Sequence, residues 1–100
     1  MPEASQLAKI LKDSMKGGKY LLGAKEVVSG MKGSRVILCT KSLPPRLGAR
    51  VRSEAQRQEV PVVDLKATSS ELARMLGRPF RVSVIALRSL GENELKQLQR

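Results

Sequence analysis

The sequence predicts an α/β protein, a three-layer α/β/α sandwich around four strands. Three observations lead there. Helical and strand patterns alternate along the chain, with no internal repeat, low-complexity segment or linker. Such alternation builds helices onto both faces of a sheet. The run Val36–Cys39 is apolar throughout, as a strand covered on both faces must be. Finally, 100 residues with 41% hydrophobic content fill one modest core, so residues 1–100 are read as a single domain.

In Gln6–Lys16, Leu7, Ile10, Leu11 and Met15 fall at the spacing of one helix face. Gly17 and Gly18 end that helix. Lys19–Leu22 reads as a short strand. Gly23 opens a second helix with Val27, Val28 and Met31 inward, and Gly33 closes it. Arg35–Thr40 is β-branched and apolar, a central strand. Ser42, Pro44 and Pro45 announce a third helix, because proline is tolerated in a first turn. Leu47, Val51 and Ala55 give it an apolar stripe. Val60–Leu65 is the next strand; Pro61 lacks a ladder donor, which points to an edge.

Thr68-Ser69-Ser70-Glu71 fits a capping box, opening a helix that carries Leu72, Met75 and Leu76. Gly77 and Pro79 stop it. Arg81–Leu87 is the last strand. The segment 92–100 is either a short terminal helix with Leu95 and Leu98 inward or a frayed tail. A parallel sheet is the default for this order, though a short edge strand is free to run the other way.

Charge is the strongest bulk signal. There are 19 Lys+Arg against 9 Asp+Glu, a net charge of +10. Such a charge opposes compaction by self-repulsion, and a polyanionic partner explains it. The basic residues run along the whole chain, so the folded surface is the expected binder. Nucleic acid comes first among partners and an acidic membrane surface second. No apolar run approaches a membrane span, and the amino-terminal segment lacks the apolar stretch of a signal peptide. A cytoplasmic location is expected.

Catalytic groups are scarce. The chain has no His and one Cys, Cys39, in mid-strand, which suits a buried structural thiol. Asp13 and Asp64 fall in distant elements. An enzyme is not expected, nor a metal, cofactor or small-molecule substrate. The stretch GKYLLGAK, Gly18–Lys25, approaches a phosphate-binding loop, but Ala24 stands where that motif needs Lys.

Basic residues at helix starts are more informative. Lys25 lies in the first turn of the second helix, where a cation opposes the helix dipole. A bound phosphate would reverse that sign; a solvated Lys beside Glu26 is the simpler alternative. Gly23 would let a backbone approach closely. Lys41 and Arg46 flank the entry to the third helix in the same way. The stretch GRPFRVSV holds the only Phe, Phe80, between Arg78 and Arg81. Its loop reaches the other two turns only if the last strand runs antiparallel to the first two. Phe80 then either offers a flat face to an unstacked base or packs inward, and the residues alone favour the core.

The stretches GKYLLGAKEVV, RVILCTKSLPP, VPVV and SSELARMLGRPFRVSVIAL, with their spacings, resemble the L-thirty-e family of large-subunit ribosomal proteins in its archaeal form. That family belongs to the kink-turn RNA binders that also include the L-seven-Ae proteins. The resemblance covers residues 5–90, most of the chain. It rests on G-x-K at a helix start, Gly23 to Lys25, and on the G-[RK]-x-F-R-V pattern before the last strand.

The resemblance implies a mixed four-stranded sheet. It implies a constituent of the large ribosomal subunit that binds a kink-turn or similar bent internal loop of rRNA beside neighbouring ribosomal proteins. Carried over by position, the implied contacts are Gly23, Lys25, Lys41, Arg46, Phe80, Arg81 and Val82, with Lys19 and Arg78 beside them. Phe80 is then read as facing RNA, with Val82 adding apolar packing. At Lys41 the family typically has Asn; Lys has three donors and no acceptor, which implies a more electrostatic contact. Arg50, Arg52 and Arg57 on the third helix are either a second surface against rRNA or a solvated face. Two other functions stay open. One is a kink-turn protein of another ribonucleoprotein; the other is a basic module for acidic protein or membrane surfaces.

Overall fold

The computed structural model describes residues 4–17, 20–88 and 96. Gly18, Lys19 and the terminal segment 92–100, Lys96 aside, are outside the described residues, and with them the terminal-helix expectation. The elements in chain order are α1 (Ala4–Gly17), β1 (Tyr20–Leu22), α2 (Ala24–Gly30), β2 (Val36–Cys39), α3 (Pro45–Arg57), β3 (Val62–Asp64), α4 (Ser69–Leu76) and β4 (Val84–Leu87). The expected α/β/α sandwich is what forms.

The four strands make one mixed sheet in the order β1-β4-β2-β3. Strand β2 is parallel to β3, while β4 is antiparallel to both β1 and β2. The two fully buried strands, β2 and β4, are central, and the Pro61-led β3 is an edge. Side chains alternate across the sheet as a pleat requires. Val36, Leu38, Ile85 and Leu87 face one way, into a core with Leu7, Ile10 and Leu11 of α1 and Leu72 of α4. Ile37, Cys39, Val84 and Ala86 face the other, against Val27 of α2 and Val51 and Ala55 of α3.

The mixed sheet that the family resemblance implies is what forms, and the parallel default of the alternation fails at a central strand and not at an edge. Its cause is the segment Gly77–Ser83. Gly77 adopts a left-handed φ of 67° and ends α4. The chain then returns along the helix, and the Val82 N–H donates to the Ser69 carbonyl at the start of α4 (3.3 Å). Strand β4 therefore begins where α4 begins and must run opposite to β2.

Several boundaries are tighter than the sequence pattern. Helix α2 ends at Gly30, not Gly33, because the Arg88 guanidinium donates to the Gly30 carbonyl (2.7 Å) and the chain turns through Lys32 and Gly33. Residues 81–83 are not strand: the Ser83 carbonyl still accepts from the backbone N–H and hydroxyl of Thr40 (3.0 and 2.8 Å), one step beyond the Cys39–Val84 pairing, but the Val82 N–H turns to Ser69 on α4. Strand β3 occupies only the middle of Val60–Leu65, since the Val60 N–H closes the end of α3 on the Ala55 carbonyl (2.8 Å).

Candidate nucleic-acid interface

Because β4 opposes β1 and β2, the carboxyl ends of β1, β2 and β3 and the amino end of β4 lie at one end of the sheet. Four turns meet there and are bonded to one another. The Gly23 N–H donates to the Val84 carbonyl (3.1 Å), joining the β1–α2 turn to β4. Thr40 joins the β2–α3 turn to Ser83. The Lys41 N–H donates to the Ala67 carbonyl (3.0 Å), and the Ser69 N–H to the Ser42 hydroxyl (3.0 Å). Both reach the β3–α4 turn. The site's backbone is thus held by rigid elements on every side.

Gly23 caps α2 with φ 96° and ψ 144°, a conformation that side chains rarely adopt, and a Cβ there would stand in open space. The requirement is conformational, and it leaves the turn open to an approaching backbone. Lys25, one residue into α2, is exposed. Lys41 and Arg46 are exposed at the entry to α3, whose first residue is Pro45. Arg81 is exposed just before β4.

Phe80 is 53% exposed and is the large hydrophobic residue that stands out in solvent among the described residues. The inward-packing alternative does not apply to it. Pro79 and the left-handed Gly77 direct this loop away from the core, and the adjacent Val82 goes in instead. Val82 is 2% exposed and packs with Leu72 and Ile85. This corrects the expectation for Val82: its side chain belongs to the core and cannot pack on RNA. Arg78 is also turned inward. It is half-buried, its guanidinium donates to the Tyr20 hydroxyl, and its central carbon lies 5.6 Å from the Tyr20 ring centroid. That position is on the α1–α4 face, apart from the exposed face of Phe80. Lys19 lies outside the described residues.

The electrostatics of this end are dominated by cations. Glu71 is a local counter-charge, and its carboxylate is already engaged. It accepts from the Thr68 N–H (3.0 Å) while the Thr68 hydroxyl accepts from the Glu71 N–H (3.2 Å), completing the capping box. The Thr68 bonds, and then the charges of Lys41 and Arg74, hold the Glu71 carboxyl below its ordinary range. Lys66, exposed in the β3–α4 turn, adds a cation that sequence reasoning missed. The signal was available: it stands between a strand and a helix cap, as Lys41 does.

Among the described residues no group of three or more His, Cys, Asp or Glu could hold a metal ion. Cys39 is buried, and burial pushes its thiol up, away from the reactive thiolate. No described helix is long and apolar enough to cross a membrane. What this end can do chemically is bind anions, by exposed cations, and stack or pack a planar group, by Phe80.

Comparison with known proteins points the same way. The sequence profile described as the ribosomal protein L7Ae/L30e/S12e/Gadd45 family matches residues 5–96. Similar proteins carry the name "Large ribosomal subunit protein eL30". That of Methanosarcina mazei is 27% identical over 89 residues, covering 87% of this chain and 82% of that protein. That of Aeropyrum pernix is 27% identical, covering 87% and 89%. That of Saccharolobus solfataricus is 28% identical over 87 residues, covering 85% and 81%.

Proposed function

The chain belongs to the ribosomal protein L7Ae/L30e/S12e/Gadd45 family, and from that premise we propose that it is a non-catalytic constituent of the large ribosomal subunit. As one RNA-binding domain, it holds a bent internal loop of rRNA, of the kink-turn kind, beside neighbouring ribosomal proteins. The observation that carries this reading is Phe80, 53% exposed at the end of the sheet where four turns and their cations converge. A single exposed hydrophobic residue is ordinary by itself; Phe80 gains weight from its place beside the exposed cations of the converging turns. Lys25, Lys41, Lys66, Arg46 and Arg81 position the RNA through its phosphates, and Phe80 takes the face of an extruded base. A straight duplex offers the same phosphates but no extruded base, so shape preference rests on Phe80. The names of the similar proteins supply the ribosomal large-subunit context.

The test is a titration of the protein against a short kink-turn RNA and a straight duplex of equal length, for the wild type and Phe80→Ala. Stacking on an aromatic contributes about 1–3 kcal/mol per base, so the variant should lose roughly tenfold or more on the bent RNA and little on the duplex. Equal wild-type affinity for both RNAs would contradict the reading.

A further inference from the structure

Between α2 and α3 runs a groove lined by Ala24, Lys25, Val28, Ser29, Leu47 and Arg50. Its floor is aliphatic: Ala24, Val28 and Leu47 are half-buried against the α2–α3 core. Its rims are cationic on both sides, Lys25 on α2 and Arg50 on α3, and no acidic residue lines it. Glu26 lines a neighbouring depression that shares Lys25 and Ser29 with the groove. The groove opens onto the end of the sheet already described, because Lys25 belongs to both.

The arginines of α3 are not equivalent. Arg52 is committed to Asp64 through a bidentate pair, and Arg57 bonds Glu54 (3.0 Å). Arg46 and Arg50 have no ion pair among the described residues. They are four positions apart, on the same helix face and about 6 Å apart along the axis. Together with Lys25 they continue the line of charge from the turns down the groove. The expected surface of Arg50, Arg52 and Arg57 therefore divides: Arg50 faces the groove while Arg52 and Arg57 are engaged within the chain.

Resting on the RNA-binding reading, we propose that this groove receives the ribose–phosphate chain of the RNA strand leaving the bent loop. Arg50 contacts a phosphate beyond those held at the turns. Cationic rims suit phosphates, an aliphatic floor suits the ribose faces between them, and continuity through Lys25 sets the path. An acidic protein segment would also meet the rims, and the experiment separates it from RNA.

The experiment compares the wild type, Arg50→Gln and Arg52→Gln. Two RNAs share the same bent loop, one with its flanking strand extended and one cropped at the loop. Both substitutions remove one charge from an exposed position two residues apart, and melting temperatures check that both variants fold. On the extended RNA, Arg50→Gln should lower the slope of log affinity against log salt by about 1, and Arg52→Gln should leave it unchanged. On the cropped RNA neither should change it. A wild-type slope for Arg50→Gln on the extended RNA, or an equal loss on both RNAs, overturns the groove path, as does an equal loss with Arg52→Gln. If the wild type itself fails to prefer bent over straight RNA, the underlying reading falls; if that preference holds and the Arg50→Gln slope is unaltered, only the groove does.

Discussion

At the scale of single residues, neighbours in one loop take opposite roles. Phe80 is exposed while Val82, two positions on, is buried at 2%. The family resemblance placed both on the RNA side, whereas the residue pattern alone favoured a core Phe80 and read residues 81–83 as strand. They are not: Val82 shares a core with Ile85 and Leu87, while Val84 and Ala86 face the other core. The period of two cannot be extended backwards through Val82, whose N–H donates to Ser69 on α4 instead of to a strand. Arg78 was illegible for a related reason, since its partner Tyr20 is remote in sequence. Lys41, by contrast, was legible and is exposed. Its ammonium can meet phosphate or a base acceptor but cannot accept a hydrogen bond. Replacing Lys41 by Asn should therefore lower the salt slope of RNA binding by about 1 and raise the ratio of bent to straight affinity. Salt-series titrations on both RNAs check this, and an unchanged slope would remove Lys41 from the phosphate contacts.

At the scale of elements, helix starts were read well and helix ends less so. The Thr68–Glu71 capping box follows from spacing and is present in full. Because the β3–α4 turn carries the bond to Lys41, this cap also holds the site. Thr68→Ala should cost about 1 kcal/mol of stability, measured by denaturant unfolding. The pH dependence has a definite sign. The Glu71 carboxyl is held below its usual 4.5 in the folded chain. Its contribution is therefore present above the unfolded value and disappears as pH falls through the lower folded one. Glu71→Gln should flatten that part of the acid limb of the stability curve; an unaltered limb would show that the box does not contribute. The end of α3 had no sequence signal. It closes through Glu59 at a φ of 57°, a conformation usually left to Gly or Asn. Composition gave no hint because the bond that fixes it, Val60 to Ala55, spans the turn.

At the scale of the whole molecule, the layer architecture was written in the alternation of elements, whereas strand direction was not and came correctly from the family resemblance. Direction depends on the return of residues 77–83 along α4, and no local pattern encodes that return. Its consequence is functional: reversal of β4 is what gathers four turns at one end. The charge of +10 surrounds the molecule, with Lys9, Lys12 and Lys16 exposed on α1 as well. Affinity for polyanions alone is thus expected over much of the surface and says little about the site. Location discriminates. The most direct measurement is a map of backbone amide chemical-shift changes on adding the kink-turn RNA, with the straight duplex as reference. The expected result is large changes confined to Gly23, Lys25, Lys41, Lys66, Phe80 and Arg81 and their neighbours, with the opposite end around Ser34, Arg35 and Leu87 unmoved. Changes of similar size around the whole basic surface, or the same map with the straight duplex, would contradict a site built from the four turns.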